Sequence, residues 1–132
     1  MYVSSFVFPV ISGDAWAKNQ LTYRVYDYPR DGDLNEQEVD QQIRKAFDVW
    51  ERVSPLRFYV SQDRTVEPDI IIKFSPSYVD HGDGYPFDGE SGTLAHAFYP
   101  TSSPIGGDAH FDEAEPWVID TAQGESCVCL FV

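Results

Sequence analysis

A long glycine-rich loop follows an apolar strand in the middle of this chain and limits the folds available to it. The loop, Ser75–Gly92, contains four glycines and two prolines. A loop of this length without structure of its own is unusual in a compact domain. Bound metal is one physical means of ordering it, because ligand bonds offset the entropy lost when the loop is fixed. We therefore expect metal ligands in and beside this loop.

All three histidines of the chain lie in or after this loop. They are His81, His96 and His110, and Asp83 follows the first of them after one residue. Histidine is a common zinc ligand, and zinc accepts four nitrogen or oxygen ligands in a tetrahedron. Three histidines and one aspartate would fill all four positions and leave none for a reactive water, so such a site is structural. The alternative is that the three histidines are unrelated and do not bind a common ion.

Carboxylates recur in turn sequences near the histidines. Asp88 is followed by Gly89, and Asp112 and Glu115 lie three residues apart. Calcium takes about six to eight oxygens from carboxylates and backbone carbonyls, so this pattern favours a calcium site, although its spacing is not that of an EF-hand. The alternatives are an ordinary turn at Asp88 and a solvated acidic edge or helix start at Asp112.

Composition indicates one globular domain. Hydrophobic residues make up 42% and aromatic residues 15% of the 132 residues, which argues against disorder. The formal net charge of -13 argues against nucleic-acid binding, which uses a basic surface. We also expect no membrane span. Cys127 and Cys129 are too close in sequence for an unstrained disulfide with each other.

Local patterns predict a sheet with one early helix. Asn35 and Glu38 form a capping-box pattern that begins a helix extending to Arg52, and Ser54-Pro55 ends it. The apolar face of this helix is predicted to contain Val39, Ile43, Ala46, Phe47 and Trp50. Strands are expected at Leu21–Tyr26, Leu56–Val60, Asp69–Phe74, Thr93–Tyr99 and Ala109–Phe111. This order predicts an α/β or α+β sheet with the helix packed on it.

Long ordered segments of the chain resemble the catalytic domain of the matrix metalloproteinases, a family of metzincin peptidases. They are Leu21-Thr-Tyr-Arg, Ala46-Phe-Asp-Val-Trp50, His81-Gly-Asp-Gly-Tyr-Pro-Phe-Asp-Gly, Gly92-Thr-Leu-Ala-His-Ala-Phe, Gly107-Asp-Ala-His-Phe-Asp and Glu115-Pro-Trp117. The resemblance implies an α/β, metzincin-like fold with a twisted, mostly parallel sheet, an antiparallel edge strand and one long early helix. It divides the chain into an N-terminal segment without a family assignment (1–15), a partial catalytic domain (16–124) and a divergent tail (125–132).

The resemblance also implies roles for individual residues. The structural zinc ligands would be His81, Asp83, His96 and His110. One calcium would be bound by Asp88, Gly89, Ser91, Thr93, Asp112 and Glu115. A second calcium would use Asp69, Gly106 and Asp108, and a third would use Asp31 and Glu113. Leu94 and Ala95 would lie on the edge strand that pairs with an extended peptide substrate.

One part of the family pattern is not present in the sequence. The catalytic zinc of the family is held by a helix reading His-Glu-x-x-His, and no histidine follows His110 here. We therefore expect the fold to stop before the catalytic helix and the 132-residue chain to be inactive. A catalytic zinc is expected only if the chain continues.

The resemblance implies a zinc- and calcium-dependent metalloendopeptidase that acts on extracellular proteins and is itself extracellular. Extracellular matrix proteins or peptides would be substrates of the full-length form, and protein inhibitors would be further partners. One alternative is a non-catalytic, zinc- and calcium-stabilised module that binds peptides or inhibitors. Another is a truncated chain that folds poorly.

Overall fold

A five-stranded sheet and one helix form the fold. The structure, a computed structural model, describes residues 15–30 and 34–119. Its elements are β1 (Gln20–Asp27), α1 (Glu36–Val53), β2 (Arg57–Val60), β3 (Ile70–Ser75), β4 (Ala95–Ala97) and β5 (Ala109–Asp112). The strand order across the sheet is β2-β1-β3-β5-β4. Within these described ranges, no helix is long and apolar enough to cross a membrane.

The sheet is parallel except at one edge. β1 pairs in parallel with β2 and β3, and β3 pairs in parallel with β5. β4 pairs with β5 in the antiparallel direction and forms the edge of the sheet. The predicted α/β, metzincin-like sheet with an antiparallel edge strand and one early helix is therefore confirmed. The edge strand is shorter than the predicted Thr93–Tyr99.

The helix begins where the capping pattern predicts. Asn35 is the N-cap: its side-chain oxygen accepts a hydrogen bond from the Glu38 amide at 3.0 Å, and its own amide donates to the Glu38 carboxylate at 2.9 Å. These two bonds satisfy backbone donors that the first turn leaves unpaired. At the other end the Ser54 hydroxyl donates to the Trp50 carbonyl at 2.8 Å, so the last turn is also bonded.

Apolar side chains from the helix and the sheet form the core. The Phe47 ring lies 4.2 Å from the Phe58 ring and 4.5 Å from the Tyr23 ring, measured between centroids. Leu21 and Ile72 from the inner strands are at most 1% exposed. Aromatic contacts of this kind add to the free energy gained from area burial alone. The helix is therefore held on the sheet mainly through its middle turns.

The predicted apolar face of the helix is wrong at one position. Trp50 is 39% exposed, whereas Gln42, which the apolar pattern omitted, is only 4% exposed. Trp50 lies near the C-terminal end of the helix, where it lines an open apolar groove of about 270 Å³ together with Leu56 and Ala97. The groove explains the exposure, because the outer part of the indole borders this open space.

We expect Asn35→Ala to lower the free energy of unfolding by about 1 kcal/mol, because it removes one of the two capping bonds. Urea denaturation followed by far-ultraviolet circular dichroism measures this change. Gln37→Ala, at an exposed position of the same first turn, is the matched control and should change stability by less than about 0.5 kcal/mol. Equal effects of the two substitutions would contradict the capping role.

Candidate metal centre

Three histidines converge on one carboxylate oxygen. Asp83 Oδ2 lies 2.7 Å from His96 Nε2, 2.7 Å from His110 Nδ1 and 2.9 Å from His81 Nε2. The four ligand atoms lie within 4.8 Å of one another, and within residues 15–30 and 34–119 no other group of three or more histidine, cysteine or carboxylate ligands is this close. The side chains of Asp83 and His110 are fully buried. The structure thus brings the four predicted zinc ligands together.

Strand pairing places two of the ligands. His96 on β4 is the register partner of His110 on β5, so both side chains point to the same face of the sheet. The other two ligands come from the loop, where the Asp80 carboxylate accepts hydrogen bonds from the amides of Gly82 and Gly84 at 2.9 and 3.1 Å. These bonds close a tight turn around Asp83. Both glycines have positive φ angles, 101° and 80°, which residues with a Cβ rarely adopt.

Two of the three spacings between ring nitrogens fit zinc, whereas the Asp83 oxygen lies closer to the nitrogens than it would around an ion. His96 Nε2 lies 3.2 Å from His81 Nε2 and 3.3 Å from His110 Nδ1. Zinc–nitrogen bonds of about 2.0–2.1 Å in a tetrahedron require neighbouring ligand atoms to be about 3.3 Å apart. Three nitrogens and one carboxylate oxygen also match the ligand types that zinc prefers. The residues present therefore fit a four-coordinate zinc ion.

The protonation states of Asp83 and His110 at neutral pH favour the binding of a metal cation. Burial raises the pKa of the Asp83 carboxyl, but hydrogen bonds from the Tyr85 amide and from His110 and His96 outweigh it and hold that pKa well below its usual range. Burial lowers the pKa of His110 to about 4, against the opposing hydrogen bond to Asp83. At neutral pH the carboxylate is therefore ionised and the His110 ring is neutral. Metal ligation requires both of these states.

Aromatic packing holds the loop ligands against the strands. The Phe87 side chain is 1% exposed, and its ring stacks on His81 and His96 with centroid distances of 4.8 and 4.6 Å. Reasoning from sequence did not assign Phe87 a role at the site. An apolar side chain inside a loop of glycine, aspartate and proline was the signal that could have identified it. The Phe87 ring takes the place of water on these imidazole faces and packs closely against them.

The acidic residues after β5 are buried beside the same loop. Asp112 is fully buried and Glu115 is 8% exposed. Asp112 accepts hydrogen bonds from the Ser77 hydroxyl, the Ala114 amide and the Gly89 amide, whereas Glu115 Oε1 is buried without a hydrogen-bond partner. No lysine or arginine of the described residues is paired with either carboxylate. Two buried carboxylates without a cation are costly, and calcium is the cation that such oxygens favour.

The loop supplies the remaining atoms of the predicted calcium site. Asp88 Oδ1 accepts a hydrogen bond from the Thr93 amide at 3.0 Å, which closes the turn that includes Gly89 and Ser91. Ser91 has a φ of 66°, a strained value for a residue with a side chain. The three carboxylates do not form a compact cluster by themselves. A calcium ion at this place would therefore depend on the backbone carbonyls of Gly89, Ser91 and Thr93, as the resemblance implies.

The residues of the predicted second calcium are engaged within the protein. The Asp69 carboxylate accepts from the Thr22 amide at 2.8 Å and pairs with Lys18 Nζ at 2.7 Å. Asp108 is 5% exposed and accepts from the Ile71 amide at 2.9 Å. Gly106 has no room for a Cβ, which would meet the Thr101 carbonyl oxygen at 2.5 Å. Calcium would have to use backbone oxygens there.

The predicted third calcium site is described only in part. Glu113 lies 3.7 Å from Arg30 Nε, and Asp31 lies outside the described residues. Both additional calcium sites remain predictions.

In the part of the chain that the structure describes, no strand pairs with the outer edge of β4, which can therefore accept an extended chain. The Leu94 carbonyl accepts from the Asp112 amide at 2.9 Å, and the Phe98 amide donates to the Asp108 carbonyl at 3.0 Å. In an antiparallel ladder the residues between such pairs point their backbone groups away from the partner strand. The backbone groups of Ala95 and Ala97 therefore face the open edge, and the Leu94 side chain is 51% exposed beside them.

We expect Gly92→Ala to weaken calcium-dependent stabilisation, because its Cβ would meet Asp88 Oδ2 at 2.5 Å and its φ is 105°. The measurement is the rise in melting temperature on adding millimolar calcium to the zinc-saturated protein. The wild type should gain stability, and Gly92→Ala should lose about half of that gain or more.

The control for this experiment is Gly84→Ala, which has a φ of 80° and open space around the added Cβ. It introduces similar backbone strain without touching Asp88, and both variants are measured saturated with zinc because Gly84 belongs to the turn around Asp83. Equal calcium responses in the two variants would contradict the role of the Asp88 turn. No calcium response in the wild type would contradict the calcium site itself.

The fold and the cluster of three histidines and Asp83 together define an α/β domain with a candidate metal site, and comparison with known proteins places it in a family. Residues 15–132 match the Matrixin family of peptidases. The chain belongs to the matrixin family.

Several matrix metalloproteinases are similar in sequence. The chain is 53% identical over 102 residues to rat macrophage metalloelastase, covering 77% of this chain and 20% of that protein. It is 48% identical over 108 residues to the 72 kDa type IV collagenase of Gallus gallus, covering 82% and 15%. It is 42% identical over 116 residues to human matrix metalloproteinase-25, covering 87% and 20%. The chain thus spans a fifth or less of the length of these relatives.

Proposed function

We propose that this chain is the zinc- and calcium-binding part of a metalloendopeptidase of the matrix metalloproteinase type that acts on extracellular proteins. The observation that carries the proposal is the convergence of three histidine nitrogens on the Asp83 carboxylate. In this role His81, Asp83, His96 and His110 hold a structural zinc, which fastens the loop to the sheet. The family match and the named relatives support the same class of enzyme.

The cluster has a full set of ligands, which supports a structural role for its zinc. Four protein donors saturate a tetrahedral ion, whereas a zinc that activates water keeps one position open. The histidines of the chain are all used in this cluster. Peptide hydrolysis therefore needs a second zinc site, formed by residues other than the four of this cluster.

Calcium would neutralise part of the negative charge beside the loop. The formal net charge of -13 falls in magnitude when cations bind, and the buried carboxylates of Asp112 and Glu115 are where a divalent ion relieves the most repulsion. We propose Asp88, Gly89, Ser91 and Thr93 as the other contributors to this site. Zinc would then order the first half of the loop, which contains His81 and Asp83, and calcium would order the second half, which begins at Asp88.

Extended peptides are the ligands that the free edge of β4 would accept. Backbone hydrogen bonds along a sheet edge bind a strand without reading much of its sequence. We propose extracellular matrix proteins as substrates of the full-length form, protein inhibitors as further partners, and an extracellular location. The names of two relatives, a type IV collagenase and a metalloelastase, support this substrate class.

We expect the purified chain to bind one zinc ion and Asp83→Asn to weaken zinc binding by about 100-fold or more, because the variant loses the only anionic ligand of the cluster. Competition with a chromophoric chelator measures the affinity. Asp63→Asn, in an exposed turn, is the matched control and should bind zinc as the wild type does. Unchanged affinity in Asp83→Asn would contradict the proposed zinc site.

The exposed edge of β4 favours a second candidate function, a non-catalytic module that binds peptides or inhibitors. On this alternative the metals hold the fold, and the outward backbone groups of Ala95 and Ala97 bind an extended chain. The two candidates differ in one observable, which is whether the full-length form cleaves the peptide that it binds.

We expect the 132-residue chain to bind an extended collagen-like peptide without cleaving it, and Ala95→Pro to weaken binding by about 10-fold, because proline removes an edge donor. Fluorescence anisotropy of a labelled, internally quenched peptide reports both events. Ala95→Ser keeps the amide and should bind as the wild type does. Cleavage that a zinc chelator abolishes would contradict the expected inactivity, and equal binding by both variants would contradict the edge-strand site.

A further inference from the structure

A lysine lies on the metal-binding face of an inner strand. Lys73 belongs to β3, between β1 and β5, and its register partner on β5 is His110. The residues on either side of it, Ile72 and Phe74, are buried in the core on the opposite face. Lysine is rarely found in such a position unless it has a partner. Its partner here is the backbone of a zinc ligand: Lys73 Nζ donates to the His81 carbonyl at 2.5 Å.

This bond ties the loop part of the cluster to an inner strand of the sheet. His96 and His110 are fixed by the strand ladder, whereas His81 and Asp83 belong to a loop. Several hydrogen bonds of the loop segment 79–86 stay within the loop, such as those of Asp80. Among the described residues, the hydrogen bonds and ion pairs that tie this segment to the sheet are those of the ligand cluster itself and the bond from Lys73.

The bond matters most before metal binds. Without an ion, the cluster depends on contacts between imidazoles and one carboxylate, and the loop must be held close for all four donors to meet. A side chain anchored on an inner strand lowers the entropy cost of closing the loop at the moment of binding. A positive charge close to an incoming cation acts in the opposite direction, because like charges repel.

We propose that Lys73 is a positioning residue for the structural zinc: it holds the backbone of His81 so that the loop ligands are arranged before the ion binds. The inference rests on the proposed zinc site. The hydrogen bond from Lys73 to the His81 carbonyl favours zinc binding by more than the repulsion between the ammonium group and the ion opposes it. The sign of the change in affinity when Lys73 is removed therefore decides between the two effects.

The test compares zinc affinity in Lys73→Met, Lys73→Arg and the wild type, by competition with a chromophoric chelator. Methionine keeps the length of the side chain but has no donor, and we expect it to weaken zinc binding by about 10-fold, the lower end for residues that support metal ligands. Arginine keeps a cationic donor and should restore most of the affinity. Lys45→Met, on α1 and outside the cluster, is the control and should bind zinc as the wild type does.

A second readout separates positioning from general stability. Cobalt bound in a tetrahedral site absorbs visible light, and its spectrum is sensitive to ligand geometry. We expect Lys73→Met to alter this spectrum and to speed metal release to a chelator, while urea unfolding of the metal-free protein changes much less. If Lys73→Met does not fold, Lys73→Gln, a polar but shorter side chain, replaces it in both measurements.

The outcomes distinguish this inference from the proposed function. Failure of the wild type to bind zinc would overturn both. One zinc bound by the wild type, with equal or tighter binding by Lys73→Met, would overturn only the role of Lys73. Loss of affinity in Lys73→Met that Lys73→Arg does not restore would overturn it as well. Weaker binding in Lys73→Met with recovery in Lys73→Arg would support it.

Discussion

The contact between three imidazoles and the Asp83 carboxylate is the constraint on which the rest of the polar face depends. Asp83 and His110 are fully buried, and a buried carboxylate is tolerated only with partners that compensate its charge. The three histidines supply close polar contacts to this carboxylate and connect a long loop to the sheet. The loop in turn places the Asp88 turn next to the buried Asp112 carboxylate, which accepts a hydrogen bond from the Gly89 amide. Loop, edge strand and acidic segment thus form one cooperative unit.

The two faces of the sheet have opposite physical roles. On one face, Phe47, Phe58 and Ile72 form an apolar core under the helix. On the other, alternate residues of the same inner strands present Lys73 and His110 to the loop. Because side chains alternate along a strand, a short strand can contribute both to the core and to the metal centre. A shift of one residue in the β3–β5 register would exchange the two sets.

The open edge and the metal centre are linked by geometry. His96 faces the cluster, while the backbone of its neighbours Ala95 and Ala97 faces outward. Ordering the cluster therefore also orders the strand to which a peptide would pair. Such an arrangement allows metals to stabilise a binding edge without contacting the bound chain.

The sequence by itself determined the helix and the approximate strands, because apolar periodicity and the Asn35–Glu38 capping box are local signals. Its ordered family motifs implied the α/β fold class and the four candidate ligands of the cluster. Only the tertiary structure decided what each element faces. It exposed Trp50 along an open groove, buried Gln42, and placed Phe87 against two imidazole rings and Lys73 against the His81 carbonyl. Those outcomes depend on which surfaces meet across the sheet, and the spacing of residues along one helix or loop carries no information about the packing partner.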